Sequence, residues 1–162
     1  MQDLKKLMLS PPRLTLAVAE SLTCGRLQAR IGAISGASEF FLGGITAYQL
    51  AQKVRHLGVS RAQAEPVDSV SAEVAAQMAC GACVLFGSNL ALATTGYAEP
   101  SPERGVAEPF AWWSLARRRD DGCVALLSRR VDCPGAGRPQ VQDAVAGAAL
   151  DGLVAWLQGP QR

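Results

Sequence analysis

The chain has 162 residues, 49% of them apolar and 19% charged, with a formal net charge of +2. That length suffices for one compact domain, expected over residues 1–162, and is short for two. So small a charge, with no basic stripe interleaved with aromatics, argues against nucleic acid, and no apolar run approaches the roughly 20 residues of a membrane span.

The opening residues, Met1-Gln2-Asp3-Leu4-Lys5-Lys6, show no long apolar core followed by a cleavage site, so a cytoplasmic location is expected. Leu4 to Ser10 reads as a short amphipathic helix stopped by Pro11-Pro12. Leu14 to Ala19 is strand-like, and a helix is expected from Thr23 to Ile31. Phe40 to Tyr48 carries a second strand, with Gly43-Gly44 where a bulge or close backbone approach would sit. Gln49 to Leu57 is helical and ends at Gly58, a plausible left-handed terminator. Ser71 caps a long helix to about Phe86, with Glu73 placing negative charge in its first turn.

Leu90 to Thr95 reads as an all-buried strand and Glu99 to Glu108 as a Pro-containing loop. Phe110 to Ala116 and Cys123 to Val131 form a hairpin around Asp120-Asp121-Gly122. Val141 to Leu157 is the closing helix. Strands alternating with helices, then a hairpin, predict a layered α/β/α domain on a mixed, mostly parallel sheet.

Five cysteines, an odd number, argue against a disulfide scaffold. Cys80-Gly81-Ala82-Cys83 has C-x-x-C spacing, yet it lies mid-helix among alanines, where cysteine behaves as a small buried hydrophobe. Cys24, Cys123, Cys133 and the lone histidine, His56, are too scattered to complete a tetrahedral zinc site. No metal and no organic cofactor is expected.

Two features carry chemistry. Ala19-Glu20-Ser21-Leu22-Thr23-Cys24-Gly25 is a hydroxyl-rich strand-to-helix turn of the kind that gathers hydroxyls and N–H groups around an anion or carbonyl. Capping alone would also place Ser and Thr there. Lys53, five residues after Tyr48, stands out because the chain uses 13 arginines against three lysines, two of which are Lys5 and Lys6. An amine can give up its proton where a guanidinium cannot, so a lone internal lysine suits a general base for a serine nucleophile. A solvated lysine on a helix face is the bland alternative.

The same residues resemble the C-terminal domain family of the competence/damage-inducible protein CinA, with its stand-alone nicotinamide-nucleotide amidohydrolases. The matching blocks are Glu20 to Gly25; Gly36-Ala37-Ser38 with Phe40-Phe41; Gly43-Gly44, Tyr48 and Lys53; Leu57-Gly58-Val59; Val70 to Val74; and Thr95-Gly96-Tyr97-Ala98-Glu99-Pro100. They run in order over nearly the whole chain. The resemblance implies hydrolysis of the carboxamide of nicotinamide mononucleotide to nicotinic acid mononucleotide and ammonia. By it, Ser21 attacks, Lys53 accepts the proton, and Tyr48 relays it or orients Lys53. Thr23, Gly25, Ser38, Thr95, Gly96 and Arg138 are implied on the substrate side. The Thr23–Gly25 amides would form an oxyanion hole, and the Arg138 fork would face phosphate.

Several positions differ from the family pattern: Cys24, Leu50, Ala51, Glu99 and Trp112. Glu99 is expected to oppose a phosphate in its loop. Trp112 and Trp113 are expected to present paired aromatics on the sheet surface, pointing to a homo-oligomer. Two alternatives stand beside hydrolysis: a non-catalytic relative that binds a nucleotide or protein, and a thiol function through Cys24 or the Cys80/Cys83 pair.

Overall fold

A computed structural model describes residues 2–160, so Met1, Gln161 and Arg162 of the expected domain lie outside the described residues. The elements are α1 (Gln2–Leu9), β1 (Leu16–Glu20), α2 (Arg26–Gly32), β2 (Phe41–Thr46), α3 (Leu50–Leu57), α4 (Arg61–Ala64), α5 (Ala72–Phe86), β3 (Leu90–Tyr97), β4 (Phe110–Arg119), β5 (Gly122–Asp132) and α6 (Arg138–Gln158). Five strands form one mixed sheet in the order β2-β1-β3-β4-β5. The β1 strand pairs in parallel with β2 and β3, while β4 and β5 continue antiparallel as a hairpin.

Side-chain size divides the sheet's two faces. In the central strands Leu16, Val18, Leu90 and Leu92 point to one side and pack with Leu27, Ile31, Leu150 and Leu153 of α2 and α6. Ala17, Ala19, Ala91 and Ala93 point to the other, under α5 with its Val74, Met78, Ala79 and Ala82. Alternation along each strand produces this split. The small residues let α5 lie close across the sheet, and each Leu or Val of the opposite face contributes about 1.5–3 kcal/mol on burial.

The connections obey the same geometry. The chain steps from β1 to β2 in one direction and from β2 back past β1 to β3 in the other. The α2 crossover therefore lies on one face and the α3–α5 crossover on the opposite one, as right-handed connections demand. The point where the direction reverses, between β1 and β3, is where an open α/β sheet leaves a crevice beyond its strand ends.

Local chemistry accounts for the element ends. The Ser71 hydroxyl accepts the Val74 amide at 3.1 Å as the cap of α5. The α2 helix starts at Arg26 rather than at Thr23, because Cys24 and Gly25 are left-handed, with φ of 48° and 93°. In β2 the pairing jumps from Leu16↔Phe41 to Ala17↔Gly43, a bulge at Leu42. A side chain on Gly44 would strike Val18 and Gln28, so the glycine lets α2 settle against β2. The short α4 carries no strong periodic pattern and was not expected from the sequence.

The tryptophan expectation needs correction. Adjacent residues of a strand face opposite sides of the sheet, so Trp112 and Trp113 cannot form one exposed pair. Trp113 is 5% exposed, inside the core against α6, and Trp112 is half-buried on the other face. Their adjacency therefore carries no argument for oligomerisation.

The α3 helix, which carries Lys53, lies close against α5. A Cβ on Gly81 of α5 would sit 2.1 Å from the Leu57 carbonyl oxygen, which is backbone and cannot swing aside. Gly81→Ala is expected to cost about 1–3 kcal/mol by overpacking, read as a lower urea midpoint; an unchanged midpoint would show that α3 can slide.

Candidate functional site

Three loops leave the carboxyl ends of the parallel strands and meet over the crevice: Ser21 to Gly25 after β1, Ala47 to Gln49 after β2, and Ala98 to Pro109 after β3. The turn before α5 closes the fourth side. Together they bound a cleft of about 550 Å³ whose lining includes Ser21, Tyr48, Lys53, Asp68, Thr95 and Arg104.

The first loop is organised by Glu20, which is fully buried at the end of β1. One of its carboxylate oxygens accepts the Thr23 hydroxyl at 2.6 Å and the Gly25 and Leu27 amides at 3.0 and 3.1 Å. The other accepts the Gln28 amide at 3.0 Å and its side-chain amide at 3.2 Å. The carboxylate thus occupies the positive end of α2 and satisfies the amides a helix leaves unpaired there. The Thr23 hydroxyl also bonds Thr94 Oγ1 at 2.7 Å, tying β1's exit to β3. On the next turn, the Gln142 side chain donates to the Leu22 carbonyl at 2.7 Å, fixing the loop against α6.

Of the three amides expected to form an oxyanion hole, two are engaged within the loop itself. The Gly25 amide is bound to Glu20 and the Cys24 amide to the Ser21 carbonyl at 3.2 Å, so neither is free for a substrate oxygen. Thr23 and Gly25 serve the architecture of the loop, and neither lines the cleft. Ser38 precedes β2 at the opposite end of the sheet and also lies away from the cleft.

Ser21 and Lys53 do come together. The α3 helix carries Lys53 inward to 2% exposure, and its Nζ lies 3.1 Å from Ser21 Oγ. It also donates to the Tyr48 carbonyl at 2.6 Å. Both partners are uncharged, so burial lowers the Lys53 pKa from its ordinary range to about 8, with the more distant Asp68 carboxylate opposing that shift. Tyr48 orients Lys53 through its backbone, not its phenol, and its side chain is exposed. The phenol oxygen instead accepts from Arg138 Nη1 at 3.4 Å.

Thr95 and Gly96 border the cleft on the β3 side. The Thr95 hydroxyl donates to the Ser69 carbonyl at 2.6 Å, and a side chain on Gly96 would collide with Ala111 of β4. Asp68 and Ser69 are both left-handed, with φ of 50° and 64°. Asp68 accepts from Tyr97 Oη at 3.0 Å and pairs with Arg104. Sequence reasoning missed Asp68, Ser69 and Arg104, since no spacing in the chain links residue 68 to residues 97 and 104. Glu99, expected to repel a phosphate, is paired with Arg138.

The remaining candidates lie elsewhere. His56 is exposed on α3, with Nε2 3.1 Å from Gln52 Oε1. Cys83 is buried and Cys80 half-buried on α5, beside Cys123. Burial, chiefly, pushes the Cys80 thiol up to about 12, with Cys123 adding to the shift, which disfavours a reactive thiolate there. Among the described residues no three His, Cys, Asp or Glu side chains converge as a metal set, and no helix is long and apolar enough to cross a membrane.

The family model "CinA C-terminal domain" matches residues 2–157. A CinA-like protein of Frankia casuarinae is 37% identical over 145 residues, covering 90% of this chain and 32% of that protein. A CinA-like protein of Chlorobium limicola is 36% identical over 160 residues, covering 96% and 37% respectively. The chain thus spans about a third of the length of these relatives. The crystal structure of a competence damage-inducible protein from Klebsiella pneumoniae superposes with a TM-score of 0.86 at 23% identity, covering 98% of this chain and 95% of that one. The competence/damage-inducible protein of Agrobacterium tumefaciens gives 0.78 at 26%, with 97% and 95% covered.

Two outcomes follow for stability. Glu20→Gln, which removes the charge while keeping the shape, is expected to cost about 1.5–3 kcal/mol in urea unfolding; a neutral result would mean the α2 amides find other partners. Lys53→Met removes a buried amine and is expected to stabilise the protein at pH 7 by about 1–3 kcal/mol. For the sign: the folded chain releases the Lys53 proton near pH 8 and the unfolded chain only near 10.5. The advantage of Met is therefore complete below about 8 and fades between 8 and 10.5. Destabilisation by Met at pH 7 would mean the amine is well solvated.

Proposed function

The chain belongs to the CinA C-terminal domain family, and from that premise we propose that it hydrolyses the carboxamide of a pyridine nucleotide, nicotinamide mononucleotide being the substrate to test. One observation carries the reading: a buried amine, its pKa lowered to about 8, lies 3.1 Å from a serine hydroxyl on the wall of an open cleft. Burial beside neutral oxygens, outweighing the more distant Asp68 carboxylate, gives Lys53 the basicity of a group that is partly neutral near physiological pH, as a general base requires. Structural lysines are seldom left in that condition.

In the proposed reaction Ser21 Oγ attacks the amide carbon as its proton passes to Lys53 Nζ. The C–N bond then breaks, and the Lys53 ammonium returns that proton to the departing nitrogen, which leaves as ammonia. Water, deprotonated by the same amine, attacks the Ser21 ester, releasing the carboxylic acid and restoring the hydroxyl. The Tyr48 carbonyl holds Nζ in place through both stages. The Tyr48 phenol and Arg138 lie at the far end of the site, where the rest of the nucleotide would extend. No step requires a metal or an organic cofactor.

A second reading, ligand binding without turnover, is favoured by Glu99, whose carboxylate sits on Arg138 where a ligand anion would be held.

Ammonia release from nicotinamide mononucleotide tests the proposal. Lys53→Ala should lower the rate by about 10²–10⁴, Ser21→Ala should abolish it, and kcat/KM of the parent should rise as pH passes through about 8, where Lys53 loses its proton. Turnover surviving in Ser21→Ala would sink the nucleophile assignment. Binding measured by calorimetry with no ammonia release from the parent would select the second reading.

A further inference from the structure

The cleft has a shallower annex of about 250 Å³, lined by Leu22, Tyr48, Gly96, Glu99, Arg104 and Arg138 among others. Tyr48 joins the two spaces. Its carbonyl holds the Lys53 amine, and its phenol oxygen contacts Arg138. A ligand with its reacting group at Ser21 and an anionic group one tyrosine's length away would therefore meet the Arg138 guanidinium.

That guanidinium is already occupied. Arg138 Nε donates to Glu99 Oε2 at 3.3 Å, and Nη2 donates to Glu99 Oε1. Two parallel N–H···O bonds form the fork in which guanidinium also takes two oxygens of a phosphate. The other guanidinium at the annex, Arg104, is paired with Asp68. Arg138 and Glu99 keep 42% and 59% of their side-chain surface in solvent, so the pair is of the weak, salt-screened kind that a stronger anion can displace.

We propose that Glu99 is a built-in competitor for the Arg138 fork, and so the residue that sets how tightly the protein holds a phosphate-bearing ligand. A phosphate entering the annex must first expel the carboxylate. It then binds beside that displaced charge. A ligand without the phosphate meets neither obstacle, and the chain discriminates less between the two than its arginine alone would allow. The inference rests on reading the cleft as a nucleotide site, but binding can be measured without turnover.

Calorimetric titration of the full chain with nicotinamide mononucleotide and with the phosphate-free riboside, for the parent, Glu99→Gln and Arg138→Gln, provides the test. Glu99→Gln should tighten the mononucleotide by roughly three- to tenfold at low salt, less at 0.5 M salt added to screen the site (roughly a 4 Å Debye length), and leave the riboside within about twofold. Arg138→Gln should remove the difference between the ligands. Unchanged or weakened mononucleotide binding in Glu99→Gln, or an equal shift for both ligands, overturns the proposal. If neither nucleoside form binds any variant, the nucleotide reading fails by itself. Inorganic pyrophosphate then serves as the probe: tighter binding by Glu99→Gln supports competition at Arg138, and identical binding overturns it.

Discussion

A carboxylate buried at the junction of β1 and α2 organises the cleft end of this molecule. Glu20 has no solvent contact, and an unsatisfied carboxylate in that position would be untenable. Its oxygens collect a hydroxyl, backbone amides and a side-chain amide from one turn and the first residues of one helix. The loop between them has little freedom left, so Ser21, the next residue in the chain, inherits a fixed position. The left-handed conformations at Cys24 and Gly25 follow from the same demand, because the chain must double back to bring those amides to Glu20.

Lys53 is treated in the opposite way. Glu20 is buried and surrounded by donors, whereas Lys53 is buried beside neutral oxygens. The carboxylate is held by donors and serves the architecture; the amine has only neutral oxygens in contact and a distant carboxylate, Asp68, and burial lowers its pKa to about 8. Two ionisable groups at the same end of one sheet thus acquire different chemistry from their surroundings alone.

Much of this was legible in the sequence. The apolar runs of β1 and β3, the Ser71 cap, the Gly43-Gly44 irregularity and the Asp120-Asp121-Gly122 turn all follow from local propensities, and the structure has them. The scarcity of lysine singled out Lys53, and the structure brings it to Ser21. What escaped was of two kinds. Facing was misjudged for Trp112 and Trp113, although period-two alternation was enough to separate them. Partnerships across the fold, such as Glu99 with Arg138, Asp68 with Arg104 and Gln142 with the Leu22 carbonyl, join residues far apart in the chain and leave no local pattern to read. The bonds from the Thr23 hydroxyl and the Gly25 amide to Glu20 are local, by contrast, and the hydroxyl-rich turn alone did not disclose them.

Residue 48 divides its work between main chain and side chain. The carbonyl that steadies the amine is present whatever amino acid stands there, whereas the phenol that reaches Arg138 belongs to tyrosine. Heritable change at this position thus falls on the end of the cleft remote from Ser21. Such a layout separates two evolutionary pressures: the Ser21–Lys53 end is shielded from drift at residue 48, while the outer end is open to remodelling one codon at a time.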